Sequence, residues 1–136
     1  MPNTYYVLGG FIKQIIIMGL DTSHNCWHGA YSSFNRFRYS LGHQIGIDLD
    51  DYAGYGKTGV KDLTKIEHEL MPLFNHSDCD GILTIEESKQ IVIGLNKVLE
   101  NFNDQIEADY DFKEKIIQFR DGCLNAIERN EEVDFH

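Results

Sequence analysis

Four stretches of the chain place an apolar residue at every third or fourth position, and that spacing limits the fold to helices that each bury one stripe. The first spans about 29–46, with Tyr31, Phe34, Phe37 (or Arg38), Leu41 and Ile45 facing inward. Arg36 and Arg38 fall among its exposed positions. The second begins near Asp62, a good N-cap, and carries Leu63, Ile66, Leu70 and Phe74, with Pro72 imposing a kink or an early end. The third starts at Thr84, where Thr84-Ile85-Glu86-Glu87 forms a capping-box pattern ahead of Ile91, Val92, Leu95 and Leu99. The fourth covers about 108–129 and aligns Phe112, Ile116, Phe119, Cys123 and Ile127. Between the first two, IGIDLDDYAGYGKTGV is broken by four glycines and reads as a long loop. These elements predict a mainly α, single-domain bundle of about four helices.

With 136 residues the chain has the length of one domain. Its net charge of −10 argues against direct nucleic-acid binding, because phosphate recognition needs a basic face. Such a surface suits solubility, cation binding or docking onto a protein partner with a basic surface. Cys26, Cys79 and Cys123 are odd in number and far apart, which reads as reduced thiols of a cytoplasmic protein. Residues 5–17, YYVLGGFIKQIII, are the apolar candidate for targeting. The run is shorter than the roughly 20 residues of a membrane span, and Lys13 and Gln14 interrupt it, so the expectation is no membrane. Residues 1–17 read as an N-terminal extension or a β-rich arm ahead of a helical domain over 18–136. Met18-Gly19-Leu20-Asp21 has the look of a natural start, and every motif found lies after it.

The segment 76–87, HSDCDGILTIEE, lies between the second and third predicted helices and resembles the EF-hand calcium loop. Aligned on Gly81 at the sharp turn, Asp78 falls at position 3 and Asp80 at position 5. Ile82 offers its backbone carbonyl at position 7, Thr84 serves directly or through water at 9, and Glu87 closes the site at 12. Leu83 stands at position 8, where the family keeps an aliphatic residue that pairs with a neighbouring loop. Alternating positions of a tight loop point inward, which is how one segment supplies the six to eight oxygens a hard cation requires. His76 departs from the pattern, standing at position 1 where the family has Asp. A second hand is absent too, since Asp48-Leu49-Asp50-Asp51 lacks the glycine and closing Glu in register. The resemblance implies a metal site at His76, Asp78, Asp80, Ile82, Thr84 and Glu87 that takes Ca²⁺ (or Mg²⁺) weakly, with a dissociation constant on the order of 10⁻⁴ to 10⁻³ M. A plain interhelical turn, with Asp78 and Asp80 favoured near the next helix's N-terminus, accounts for several of the same residues.

An alternative metal reading starts from His24 and His28, four apart and facing one way if helical. Cys26, His76, Cys79, Cys123 and His136 could complete a Zn²⁺ or Fe site, and metal-activated water would then make the protein a hydrolase. Read singly, the same residues serve as caps and small core side chains. No catalytic triad, phosphate loop or dinucleotide fingerprint is present, so catalytic residues stay unknown and the balance is against an enzyme.

Taken together, SHxCWxGxYSxFxRxR over 23–38, NHSDCDG over 75–81 and the closing VDFH resemble small uncharacterised bacterial and phage-associated proteins. That resemblance implies a shared fold and brings no activity with it. It leaves three functional expectations: a structural or regulatory cation-binding protein, a transition-metal site, or an acidic interaction module such as a phage-encoded inhibitor.

Overall fold

The computed structural model describes residues 3–8, 11–16 and 19–136. Met18, weighed above as a start, lies outside them. Strands β1 (Asn3–Leu8) and β2 (Phe11–Ile16) pair antiparallel, with Asn3 opposite Ile16 and Leu8 opposite Phe11.

From residue 19 onward the fold is mainly α. Helices α1 (Tyr31–Gln44), α3 (Ile85–Glu100) and α4 (Phe112–Glu128) fall where the apolar spacing placed them. Each contributes its stripe to one core: Phe34, Phe37 and Leu41 from α1, Ile91, Leu95 and Val98 from α3, and Phe112, Ile116 and Phe119 from α4. Trp27 joins them, its ring centroid 5.0 Å from Phe37 and 5.3 Å edge-on from Phe34. The capping box at Thr84 is complete. The Glu87 N–H donates to Thr84 Oγ1 at 3.1 Å, and the Thr84 N–H donates to Glu87 Oε1 at 2.9 Å.

The second predicted helix is corrected. Residues Leu63–Lys65 form a single 3-10 turn, and α2 is only Met71–Phe74. Asp62 does cap, accepting the Thr64 N–H at 2.9 Å, but helix cannot run unbroken from there. Pro72 has no N–H, and its ring would strike the carbonyl four residues earlier, so the helix has to begin beside it. Leu70, Leu73 and Phe74 still reach the core. A Cβ on Gly94 would lie 2.7 Å from Leu70 Cγ, which shows how closely α3 approaches this junction.

Arg38 is corrected as well: it is buried at 4% exposure instead of lying on the outer face of α1. Its guanidinium finds acceptors and ring faces inside, described below.

Four short strands were not foreseen. Strand β3 (Gly19–Asp21) pairs antiparallel with β4 (His28–Ala30), and β5 (Ile82–Leu83) with β6 (Val133–Asp134). The segment 133–136 is therefore held from both sides. The Phe135 N–H donates to the Gly81 carbonyl at 2.9 Å, while Asp21 and His136 exchange N–H···O bonds of 2.8 Å.

One titration follows from the α2 junction. The Leu70 N–H donates to His68 Nδ1 at 3.0 Å, a bond that needs the unprotonated nitrogen. Burial also favours the neutral ring, lowering the His68 pKa from 6.5 against an opposing pull from Glu69. A histidine whose folded pKa lies below its unfolded value supplies stability that is complete above 6.5 and is lost as pH falls through the folded pKa. The His68 ring resonances are expected to titrate below 6.5 in NMR, whereas a midpoint above 6.5 contradicts the bond.

Candidate functional site

The loop 76–87 joins α2 to α3, and only one helical turn precedes it. Gly81 has φ +89°, the left-handed backbone that a sharp turn at position 6 demands. Ile82 and Leu83 then run extended as β5. Leu83 pairs there with Val133 of β6, not with a second loop of the same kind.

His76 shapes the rest. Its imidazole folds across the loop, with Nε2 2.8 Å from the Ile82 carbonyl oxygen and Nδ1 2.7 Å from that of Ser77. The ring lies against Phe135 at a centroid distance of 4.1 Å. A Cβ on Gly81 would sit 3.6 Å from Cε1 and Nε2, within ordinary contact, so the ring closes over the turn. The residue that departs from the EF-hand pattern thus engages the very carbonyl that position 7 would offer to a cation.

The other oxygens are divided. Glu87 and Thr84 are tied to each other's backbone in the capping box. Asp80 is exposed, and Asp78 faces a second environment beside Arg38. Among the described residues, no three His, Cys, Asp or Glu side chains converge as a set able to hold a metal ion as they stand.

Arg38 reaches the loop from α1. Its Nη1 donates to the His76 carbonyl at 2.7 Å, and its Nη2 to Asn35 Oδ1 at 2.7 Å. The guanidinium lies 4.6 Å from the Phe34 ring centroid and 5.0 Å from that of Tyr55. Burial lowers its pKa, with Tyr55 and Asp78 opposing. Tyr55 is held in turn by a bond of 2.6 Å from its hydroxyl to the Phe74 carbonyl, and burial raises its own pKa to about 12. Periodicity alone does not reveal this role, because Arg38 is adjacent in sequence to the buried Phe37 and a helix offers one wide inward face, not one position.

The residues of the alternative metal reading do not form one cluster: His28 and His136 share Asp21, Cys26 and Cys123 lie together, and His24 and Cys79 have partners of their own. His24 lies in a 3-10 turn with φ 60° and His28 in β4, so they do not share a helix face. His24 contacts Ser23 Oγ at 2.8 Å and Glu131 Oε1 at 3.0 Å. His28 bonds Asp21 through Nδ1 and lies 2.7 Å from Asn25 Oδ1 through Nε2. His136 comes within 3.7 Å of the same Asp21 carboxylate. Cys26 and Cys123 are buried side by side, where the neighbouring Cys26 sulfur and burial push the Cys123 thiol well up, away from the thiolate that ligates metal. Cys79 is exposed and contacts Ser77.

No protein-family model, curated protein or solved structure matches the chain. Among the described residues, no helix is long and apolar enough to cross a membrane.

Proposed function

We propose that this protein is a non-enzymatic binding module whose loop 76–87 takes Ca²⁺ (or Mg²⁺) weakly and sets the junction between α2 and α3. The observation that carries the reading is the contact between His76 Nε2 and the Ile82 carbonyl at 2.8 Å. An imidazole there does in part what a cation does in an EF-hand, drawing the position-7 carbonyl inward and closing the turn at Gly81. A cation competes with that ring. Binding requires His76 to swing out and Asp78, Asp80, Thr84 and Glu87 to turn from their present surroundings toward the Ile82 carbonyl. Competition and the lost position-1 carboxylate both weaken affinity, which stays on the order of 10⁻⁴ to 10⁻³ M. A cation at 100 times its dissociation constant stabilises the folded state by about 2.7 kcal/mol.

The test is a titration of Ca²⁺, Mg²⁺ and Zn²⁺, read by thermal shift, on protein purified without tag or chelator and checked for metal content. His76→Asp restores the carboxylate and removes the competing ring, so its calcium midpoint is expected at least about tenfold below that of the wild type. Glu87→Gln is expected to abolish the response. Calcium-insensitive His76→Asp protein, or co-purified zinc or iron, overturns the proposal, the latter in favour of a transition-metal site.

A second reading rests on the net charge of −10, which suits docking onto a basic protein surface. It is tested by a pull-down whose yield falls with salt and is unchanged in Glu87→Gln.

A further inference from the structure

We propose that the cleft beside Arg38 is a binding site for a small monocarboxylate. The cleft has a volume of about 280 Å³ and opens between α1, the loop around Tyr55 and the start of the loop 76–87. Its distinguishing feature is a buried cation whose direct hydrogen-bond partners are all neutral, with the Asp78 carboxylate near it but not bonded to it. Arg38 is 4% exposed, yet its hydrogen-bond acceptors are two backbone carbonyls and the Asn35 amide oxygen. Its Nε is buried with no hydrogen-bond partner in the protein. Among the described residues, no carboxylate lies within ion-pairing distance of it. A buried guanidinium is costly unless an anion answers it, and its planar fork matches a carboxylate edge-on.

The lining defines the ligand further. Asn35 spends its amide oxygen on Arg38, which leaves its NH₂ to donate, and Asn75 adds a second side-chain amide. Leu63 and Phe74 provide an apolar wall, so the anion carries a short apolar body. Asp78 also lines the cleft. Beside Arg38 its charge leaves the cleft without a net positive charge to answer the second charge of a phosphate dianion, so the apolar wall decides in favour of an alkyl carboxylate. The assignment does not depend on cation binding by the loop, because Arg38, Asn35 and Asn75 take no part in that ligand set.

The probes are acetate, propionate and butyrate, titrated into the full chain and followed by backbone-amide NMR at residues 35–38 and 75–78, with chloride and phosphate as controls. Saturable shifts are expected with the carboxylates, strengthening from acetate to butyrate, and only weak, non-saturating shifts with chloride and phosphate. Asp78→Asn removes the competing charge and is expected to bind butyrate several-fold tighter while losing calcium response. Glu87→Gln should bind butyrate as the wild type does, whatever it does to calcium. Arg38→Lys keeps the charge without the fork and is expected to lose the response, and Asn75→Ala to weaken it in a chain that keeps Arg38. Equal shifts from chloride and butyrate overturn the assignment. So does Asp78→Asn protein that is less stable and blind to butyrate, which would make Asp78 the internal counterion of Arg38.

Discussion

Phe135→Ala is expected to lower the stability of the protein by about 3–5 kcal/mol, the range for emptying a well-packed aromatic site. Phe135 is 2% exposed although it lies in a segment of only a few residues beside β6. Its ring meets Phe34 edge-on at 6.1 Å and covers His76 at 4.1 Å. Truncation therefore opens a cavity against α1 and removes the surface that holds the imidazole across the loop. Denaturant midpoints give the loss, and Phe135→Leu, which keeps most of the volume, should cost about 1 kcal/mol. A loss below 1 kcal/mol for the alanine variant would show that 133–136 is not packed as described. If the loop reading holds as well, freeing His76 weakens the competitor, and calcium should stabilise Phe135→Ala by more than it stabilises the wild type.

Gly56→Ala is the second large effect. A Cβ at position 56 would lie 1.9 Å from the Asp50 carbonyl oxygen, and that neighbour is backbone, which cannot rotate aside. The loop has to open, at a cost of about 3 kcal/mol. Gly54 provides the internal comparison. It has φ +96° but nothing within 4 Å of its Cβ position, so alanine there meets only backbone strain of about 1–2 kcal/mol. Equal losses at the two sites in thermal unfolding would contradict the close approach at Gly56. Because the same loop carries Tyr55, which walls the guanidinium of Arg38 and bonds the Phe74 carbonyl, Gly56→Ala should also shift amide resonances of residues 75–78.

The long helices were legible because α1, α3 and α4 each repeat an apolar stripe over several turns, and the Thr84 capping box marks one boundary to the residue. The break before α2 was half legible: Pro72 announced a stop, but the apolar spacing from Leu63 to Phe74 suits a turn, a bend and a short helix as well as one continuous helix. Strands β3 to β6 were illegible because two or three residues cannot show an alternating pattern, and the pairing of β5 with β6 also spans about fifty residues of sequence. Arg38 was misplaced because a charged side chain is assigned outward by default, while its acceptors are carbonyls of residues 73 and 76 that no pattern in α1 reveals. Within the loop, the spacing placed the sharp turn at Gly81 and the capping box at Thr84 but not the direction of the His76 ring, which lies against Phe135.

The pairing of β5 with β6 also bears on how the protein is made. The loop 76–87 leaves the ribosome well before residues 133–136, and until those follow, Leu83 lacks its strand partner, His76 lacks the ring beneath it and the Gly81 carbonyl lacks its donor. At about 5–20 residues per second, that interval lasts several seconds, during which α1 and α3 can fold locally while the loop stays open. If the loop takes a cation as proposed, the nascent loop would be a different ligand from the finished one, because His76 is not yet held over Ile82, and an ion met early in synthesis would encounter less competition than one met by the completed fold.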